Sequence, residues 1–195
     1  HCYATNAEAE ILLDAKDKQD LKVVLVDEVR DAVYEQLYEY PLYTNQMKTG
    51  GAKQNTLTLL IVGGGKAGCE FLKAAVWSGQ MISYKLNIHL FDLEGTNLQE
   101  RLEEECPELL AEEGNYQICI HEGDVFSGTM QSELDALGQV DYCVSALEDD
   151  ERSIRAAVWM RRHFCAKTGY TKPFICAYVQ SLAKKMAVSE LSENT

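Results

Sequence analysis

No apolar run in this 195-residue chain approaches the ~18 residues a membrane helix needs, so a helical membrane module is excluded. Basic residues are scarce too: 18 Lys and Arg face 31 Asp and Glu, a formal net charge of −13. Without clustered cations to neutralise phosphates, nucleic acid is excluded as a partner. There is no Cys-x-x-Cys pair and no Cys/His cluster at metal-ligand spacing. The seven cysteines (Cys2, Cys69, Cys106, Cys119, Cys143, Cys165 and Cys176) stand alone, mostly in apolar company. Scattered in this way they read as small hydrophobes in a reducing cytoplasm, not as a disulfide framework. What remains is ordinary globular composition, 46% hydrophobic and 25% charged, with enough chain to bury a core unaided. The chain opens on His1 without a signal-peptide pattern and is expected to be a piece of a longer protein.

Periodicity divides the chain in three. Residues 1–43 read as a βαβα segment. A short strand HCYAT precedes a helix capped by Asn6, then comes the β-branched run Leu21–Val26 and a helix VRDAVYEQLYEY that Pro41 ends. Its opening resembles the chain near Cys176–Gln180, so it is either the tail of a preceding unit of the same type or a chance likeness. Residues 44–55, aperiodic and with Gly50-Gly51, read as a linker. From residue 56 onward, strands and helices alternate: LTLLIV (Leu57–Val62), a helix from Gly68, LNIHLFD (Leu86–Asp92), one helix over 97–113, and YQICIHEGD (Tyr116–Asp124). A short helix near 128–138, VDYCVSAL (Val140–Leu147), a helix after the acidic turn EDDE, PFICAYV (Pro173–Val179) and a last helix complete the pattern. That pitch predicts a doubly wound α/β fold with a parallel sheet.

The chemistry gathers at Gly63-Gly64-Gly65-Lys66-Ala67-Gly68, a G-x-G-x-x-G string between a strand and a helix. Gly63 is expected to make the tight turn, Gly65 to admit a pyrophosphate, and Gly68 to let helix and strand approach. The helix start then offers free N–H groups and partial positive charge to phosphate. Asp92 ends the second strand, 24 residues after Gly68, where a carboxylate accepts from both ribose hydroxyls and repels a 2′-phosphate. NAD is therefore favoured over NADP. Leu93 follows it, and Glu94 competes for the same role. Asp124, with Val125 after it, ends the third strand, where an acid either takes the adenine amino group or caps the next helix. Ala146 and Leu147 end the fourth strand, small enough to leave room for a ligand across the switch point.

Catalytic groups are missing. No Tyr-x-x-x-Lys pair occurs, His89 sits mid-strand as a packing residue, and His121 and His163 lack a partner at motif spacing. The runs Glu103–Glu105 and Glu148–Glu151 read as solvated helix starts rather than metal sites. The expectation is a binding domain and not an enzyme.

GGGKAG, HLFD, HEGD and VDYCVSALEDDERSIRAAVWMRR together resemble the TrkA-N/RCK group of NAD-binding domains, over about residues 56–186. The spacer Ser78–Leu86 and the phrase LEEECPELL resemble members found in large multidomain bacterial cytoplasmic proteins, some with ryanodine-receptor-type repeats. The resemblance implies a Rossmann-type regulatory domain that senses NAD, NADH or AMP, ADP or ATP and is linked to potassium transport or another attached effector. It also implies pairing of two copies. In that group the glycines matching Gly63, Gly65 and Gly68 hold the pyrophosphate, and the acid matching Asp92 holds the ribose. Arg152-Ser153 stand where the group usually has an acid followed by Asn. Two alternatives stay open: a ubiquitin-activating-like adenylation domain, suggested by DLEGTNLQERL with its Arg at Arg101, and a non-binding scaffold for protein assembly.

Overall fold

The computed structural model describes residues 2–3, 25–44, 56–81, 84–111 and 114–181. The expected helix after Asn6, nearly all of the linker and the last helix lie outside the described residues. Two short strands, β1 (Cys2–Tyr3) and β2 (Leu25–Val26), pair in parallel as a small sheet of their own. Helix α1 (Glu28–Glu39) follows, its first N–H groups held by the Asp27 carboxylate, and the chain leaves it before Pro41.

The main sheet has five strands: β3 (Thr56–Val62), β4 (Lys85–Asp92), β5 (Tyr116–Glu122), β6 (Tyr142–Ser145) and β7 (Phe174–Ala177). They lie in the order β5-β4-β3-β6-β7, and every pair is parallel. This is the doubly wound, Rossmann-like fold that the alternation predicts, with its switch point between β3 and β6. β3 is central, and its run Leu57–Val62 is buried, as a strand covered on both faces must be.

The helices divide between the faces. Leu59 and Ile61 of β3 and Ile88 and Leu90 of β4 pack with Val33 of α1 and with Phe71 and Leu72 of α2 (Lys66–Gly79). Leu98 and Leu102 of α3 (Gly95–Glu105) join them. On the other face Leu60, Val62, Phe91 and Cys143 meet Met130 and Leu134 of α5 (Gly128–Ala136) and Met160 and Phe164 of α6 (Asp150–Ala166).

The helix expected over 97–113 is two helices, α3 and the single turn α4 (Pro107–Leu110). Pro107 has no N–H to continue the ladder of α3, so the helix stops at Cys106 and restarts. Among the described residues no helix is long and apolar enough to cross a membrane. Cys69, Cys106, Cys119, Cys143, Cys165 and Cys176 are free thiols; Cys69 and Cys143 are buried, whereas Cys165 is exposed.

Candidate functional site

The turn after β3 is pinned on both sides. Gly63 N–H donates to the Phe91 carbonyl of β4 at 2.8 Å, and Ala146 N–H donates to the Val62 carbonyl at 2.8 Å. Gly63 has φ +102°, and a side chain there would run into the Ala146 carbonyl. Only glycine serves both demands. A Cβ on Gly68 would overlap the Gly63 carbonyl, so α2 lies against the turn as closely as backbone allows. Gly65 differs: no heavy atom lies within 4 Å of where its Cβ would be. Gly65 also caps α2 without a side-chain acceptor, so no capping side chain takes up the first N–H groups of the helix.

A cavity of about 500 Å³ opens there, at the C-terminal ends of β3, β4 and β6. Gly63 and Gly65 line it from β3, Asp92 and Leu93 from β4, and Ala146 and Leu147 from β6. Six of the predicted residues are thus brought together. Gly64, Ala67 and Gly68 lie behind that wall as buried structure. Gly64 is the keystone: its N–H donates to Asp92 Oδ2 at 2.6 Å, and its carbonyl accepts from the Arg101 guanidinium at 2.6 Å and the Cys69 thiol at 3.2 Å. Burial pushes the Cys69 thiol up further than Arg101 pulls it down, so it is no thiolate nucleophile. Arg101, on which the adenylation alternative rests, is engaged with the turn.

Asp92 does more than the sequence suggests. Its Oδ1 accepts from Glu94 N–H at 2.9 Å while Oδ2 holds Gly64, so one carboxylate fixes the glycine turn and its own exit from β4. Each oxygen keeps a second acceptor direction for a ribose hydroxyl. Lys66 turns away from the cavity lining to Asp27, Nζ to Oδ2 at 3.0 Å. Burial raises the Asp27 carboxyl, but the ammonium and the α1 N–H donors outweigh it and hold it below its usual value.

Asp124 and Val125 stand apart from these residues. Neither lines the cavity: Asp124 Oδ1 accepts from Phe126 N–H at 3.0 Å, and Val125 is buried in the core under α5. Asp124 does not cap α5, whose cap is Ser127, accepting from Met130 N–H at 3.2 Å.

Three lining residues escaped the site reading: Glu148, Asp149 and Arg152. The run EDDE announces a helix start, and Asp149 does cap α6, accepting from Arg152 N–H at 2.8 Å. The same residues follow directly on β6 at the switch point, so they also form the wall of the crevice. The Arg152 side chain reaches toward Asp124 at 3.9 Å. Behind the turn, the buried Ser153 hydroxyl donates within a knot formed by the Ser145 and Tyr178 carbonyls at 3.0 and 2.9 Å. Asp150 receives the N–H groups of Gln180 and Ser181 at 2.8 and 3.1 Å.

The histidines have partners that motif spacing does not reveal. His121 Nδ1 lies 2.8 Å from Glu133 Oε2, and His121 Nε2 lies 3.0 Å from His89 Nδ1. A carboxylate oxygen that accepts from His121 Nδ1–H leaves Nε2 to accept from His89 Nδ1–H, so the three groups can form one chain of hydrogen bonds. Glu133 is on α5 and both histidines are on strands, so only the fold brings them together. His163 Nε2 lies 3.3 Å from Asp135 Oδ1, also from α5, without forming a hydrogen bond. None of these residues lines the cavity. Among the described residues no three His, Cys, Asp or Glu side chains converge as a metal ion requires.

Neither a family model nor a curated protein matches this chain.

Proposed function

We propose that this chain is a cytoplasmic regulatory domain that binds NAD(H), or a related adenine nucleotide, and passes its occupancy to attached domains. One observation carries the reading: the open backbone at Gly65 stands at an uncapped helix start, over a cavity of about 500 Å³ whose other wall holds Asp92. The glycine turn and the N–H groups of α2 suit a pyrophosphate, and Asp92 suits the hydroxyls of an adenosine ribose. A 2′-phosphate would meet that carboxylate, which supports NAD over NADP. The domain acts by binding rather than by hydride transfer. The likeness of GGGKAG, HLFD and the β6–α6 segment to TrkA-N/RCK domains supports a role in controlling potassium transport or a comparable effector.

Mass spectrometry of small molecules released from the purified protein tests the reading, with calorimetric titration of NAD, NADH, NADP and ADP beside it. An adenine nucleotide bound without turnover of alcohols or hydroxy acids is the expected result. No binding by any of the four overturns it, and so does a hydride transfer abolished by a single side-chain change.

A further inference from the structure

Far from the glycine turn, the C-terminal halves of α1 and α2 enclose a groove of about 440 Å³. Its walls are aromatic: Tyr34, Tyr38 and Tyr43 on one side, Trp77 on the other. Leu37 and Leu42 form an apolar floor. Tyr38 is 89% exposed and Trp77 81%, a large aromatic area for a folded chain to leave in water.

Among the described residues the charge beside the tyrosines is mainly negative, with Arg30 one turn from Tyr34 as an exposed cation on α1. The exposed acids Asp31, Glu35 and Glu39 run along α1 beside the tyrosines. Both helices point their C-terminal ends, and hence partial negative charge, toward this region, and neither carries a basic residue in its last turn. Lys73, one turn before Trp77, is already paired with Glu70 at 3.2 Å. Ring faces, helix ends and carboxylates all favour the same occupant, an organic cation.

We propose that this groove is a docking site for a basic peptide segment of a partner protein, with an arginine side chain seated between Tyr38 and Trp77. A planar guanidinium stacks on ring faces, and the volume also accommodates an apolar neighbour on the leucine floor. A second copy of this chain is a poor occupant, because it would bring the same acidic helix against itself. The site is independent of the nucleotide cavity and does not rest on its occupancy.

The test uses the 195-residue chain and a short peptide of alternating arginine and leucine, with a twin carrying neutral citrulline for each arginine. Binding is followed by calorimetry at low salt and by tryptophan emission in a Trp159→Phe background, which leaves Trp77 as the emitter. The arginine peptide should bind, and the citrulline peptide should bind about tenfold or more weakly. Tyr38→Leu, which keeps an apolar surface but removes the ring, should weaken the arginine peptide by a similar factor. Glu35→Gln with Glu39→Gln should weaken it further and flatten its salt dependence. Equal binding of the two peptides, or none by either, overturns the proposal. A dimer in sedimentation that Tyr38→Leu dissolves overturns it as well, by giving the groove to a second copy.

Discussion

Lys66 Nζ and Asp27 Oδ2 stand 3.0 Å apart, joining the first residue of α2 to the residue that caps α1. The ammonium at the glycine turn is therefore partly neutralised by the residue that opens α1, a helix packed on the same face of the sheet as α2. Asp27→Asn keeps a capping oxygen and frees that charge for an anion at the helix start. With Lys66 half exposed and Asp27 largely covered, the pair is taken at the surface range of about 0.2–1 kcal/mol. Nucleotide affinity should rise by up to about fivefold. Calorimetry on wild type and variant measures this, and an unchanged or weaker affinity would show that Lys66 does not reach the ligand.

Gly65 and Gly68 should separate binding from folding. Gly68→Ala forces a methyl into the Gly63 carbonyl, an overpacking that costs about 1–3 kcal/mol or more. Its melting temperature should drop by several degrees. Gly65→Ala meets no neighbour and should melt like wild type, yet lose about tenfold or more in nucleotide affinity as the methyl takes the place of a phosphate oxygen. Normal binding by Gly65→Ala would rule out close approach of a phosphate there.

Asp92→Ala should reduce NAD affinity by roughly 10- to 150-fold, the equivalent of about 1.5–3 kcal/mol for hydrogen bonds to a charged group. NADP should weaken less, or gain. Because both carboxylate oxygens also hold backbone N–H groups, the variant should lose stability as well. Asp92→Asn, which retains one acceptor oxygen, separates the two effects. If NAD and NADP fall in parallel, the ribose is held elsewhere, and Glu94 is the next residue to test.

The histidine pair sets a pH dependence. Burial, with His121 beside it, lowers the His89 pKa from 6.5 to about 4. Between those values the unfolded chain binds the extra proton and the folded chain does not, so stability should be full above about 6.5 and decline as pH falls toward 4. His163, lowered by burial and by Lys167, adds in the same direction. Thermal melts from pH 7 to pH 4 should show this decline, and His89→Gln should flatten part of it. An identical pH profile for the variant would remove His89 from the account.

The sheet was legible because burial on both faces writes itself as β-branched runs, as in Leu57–Val62, and because glycine is forced where backbone meets backbone, as at Gly63 and Gly68. The break at Pro107 was equally visible in the residue itself, but helical periodicity on either side masked it. Asp92 was readable as a strand-end acid, whereas its grip on Gly64 was not, since 28 residues separate them. The same holds for Glu133 with His121: nothing in the chain says which helix face will lie over which strand. Glu148 and Asp149 do open a solvated helix, as the acidic run indicates, and their second place in the crevice wall follows from where β6 ends. A carboxylate can cap a helix and face a crevice at once, and helix-start patterning reports only the first.

The Asp150 carboxylate, which gathers the N–H groups of Gln180 and Ser181, gives this domain an unusual economy of wiring. The chain arrives past Asp27, one ion pair from the glycine turn, and departs past Ser181, moored to the helix whose start walls the crevice. Asp27 and Ser181 are therefore both fastened at the edge of the sheet where the glycine turn and the crevice lie. A small rearrangement of Lys66 or of the β6–α6 turn would be felt by the incoming and outgoing chain directly, with no need to deform the buried sheet between them.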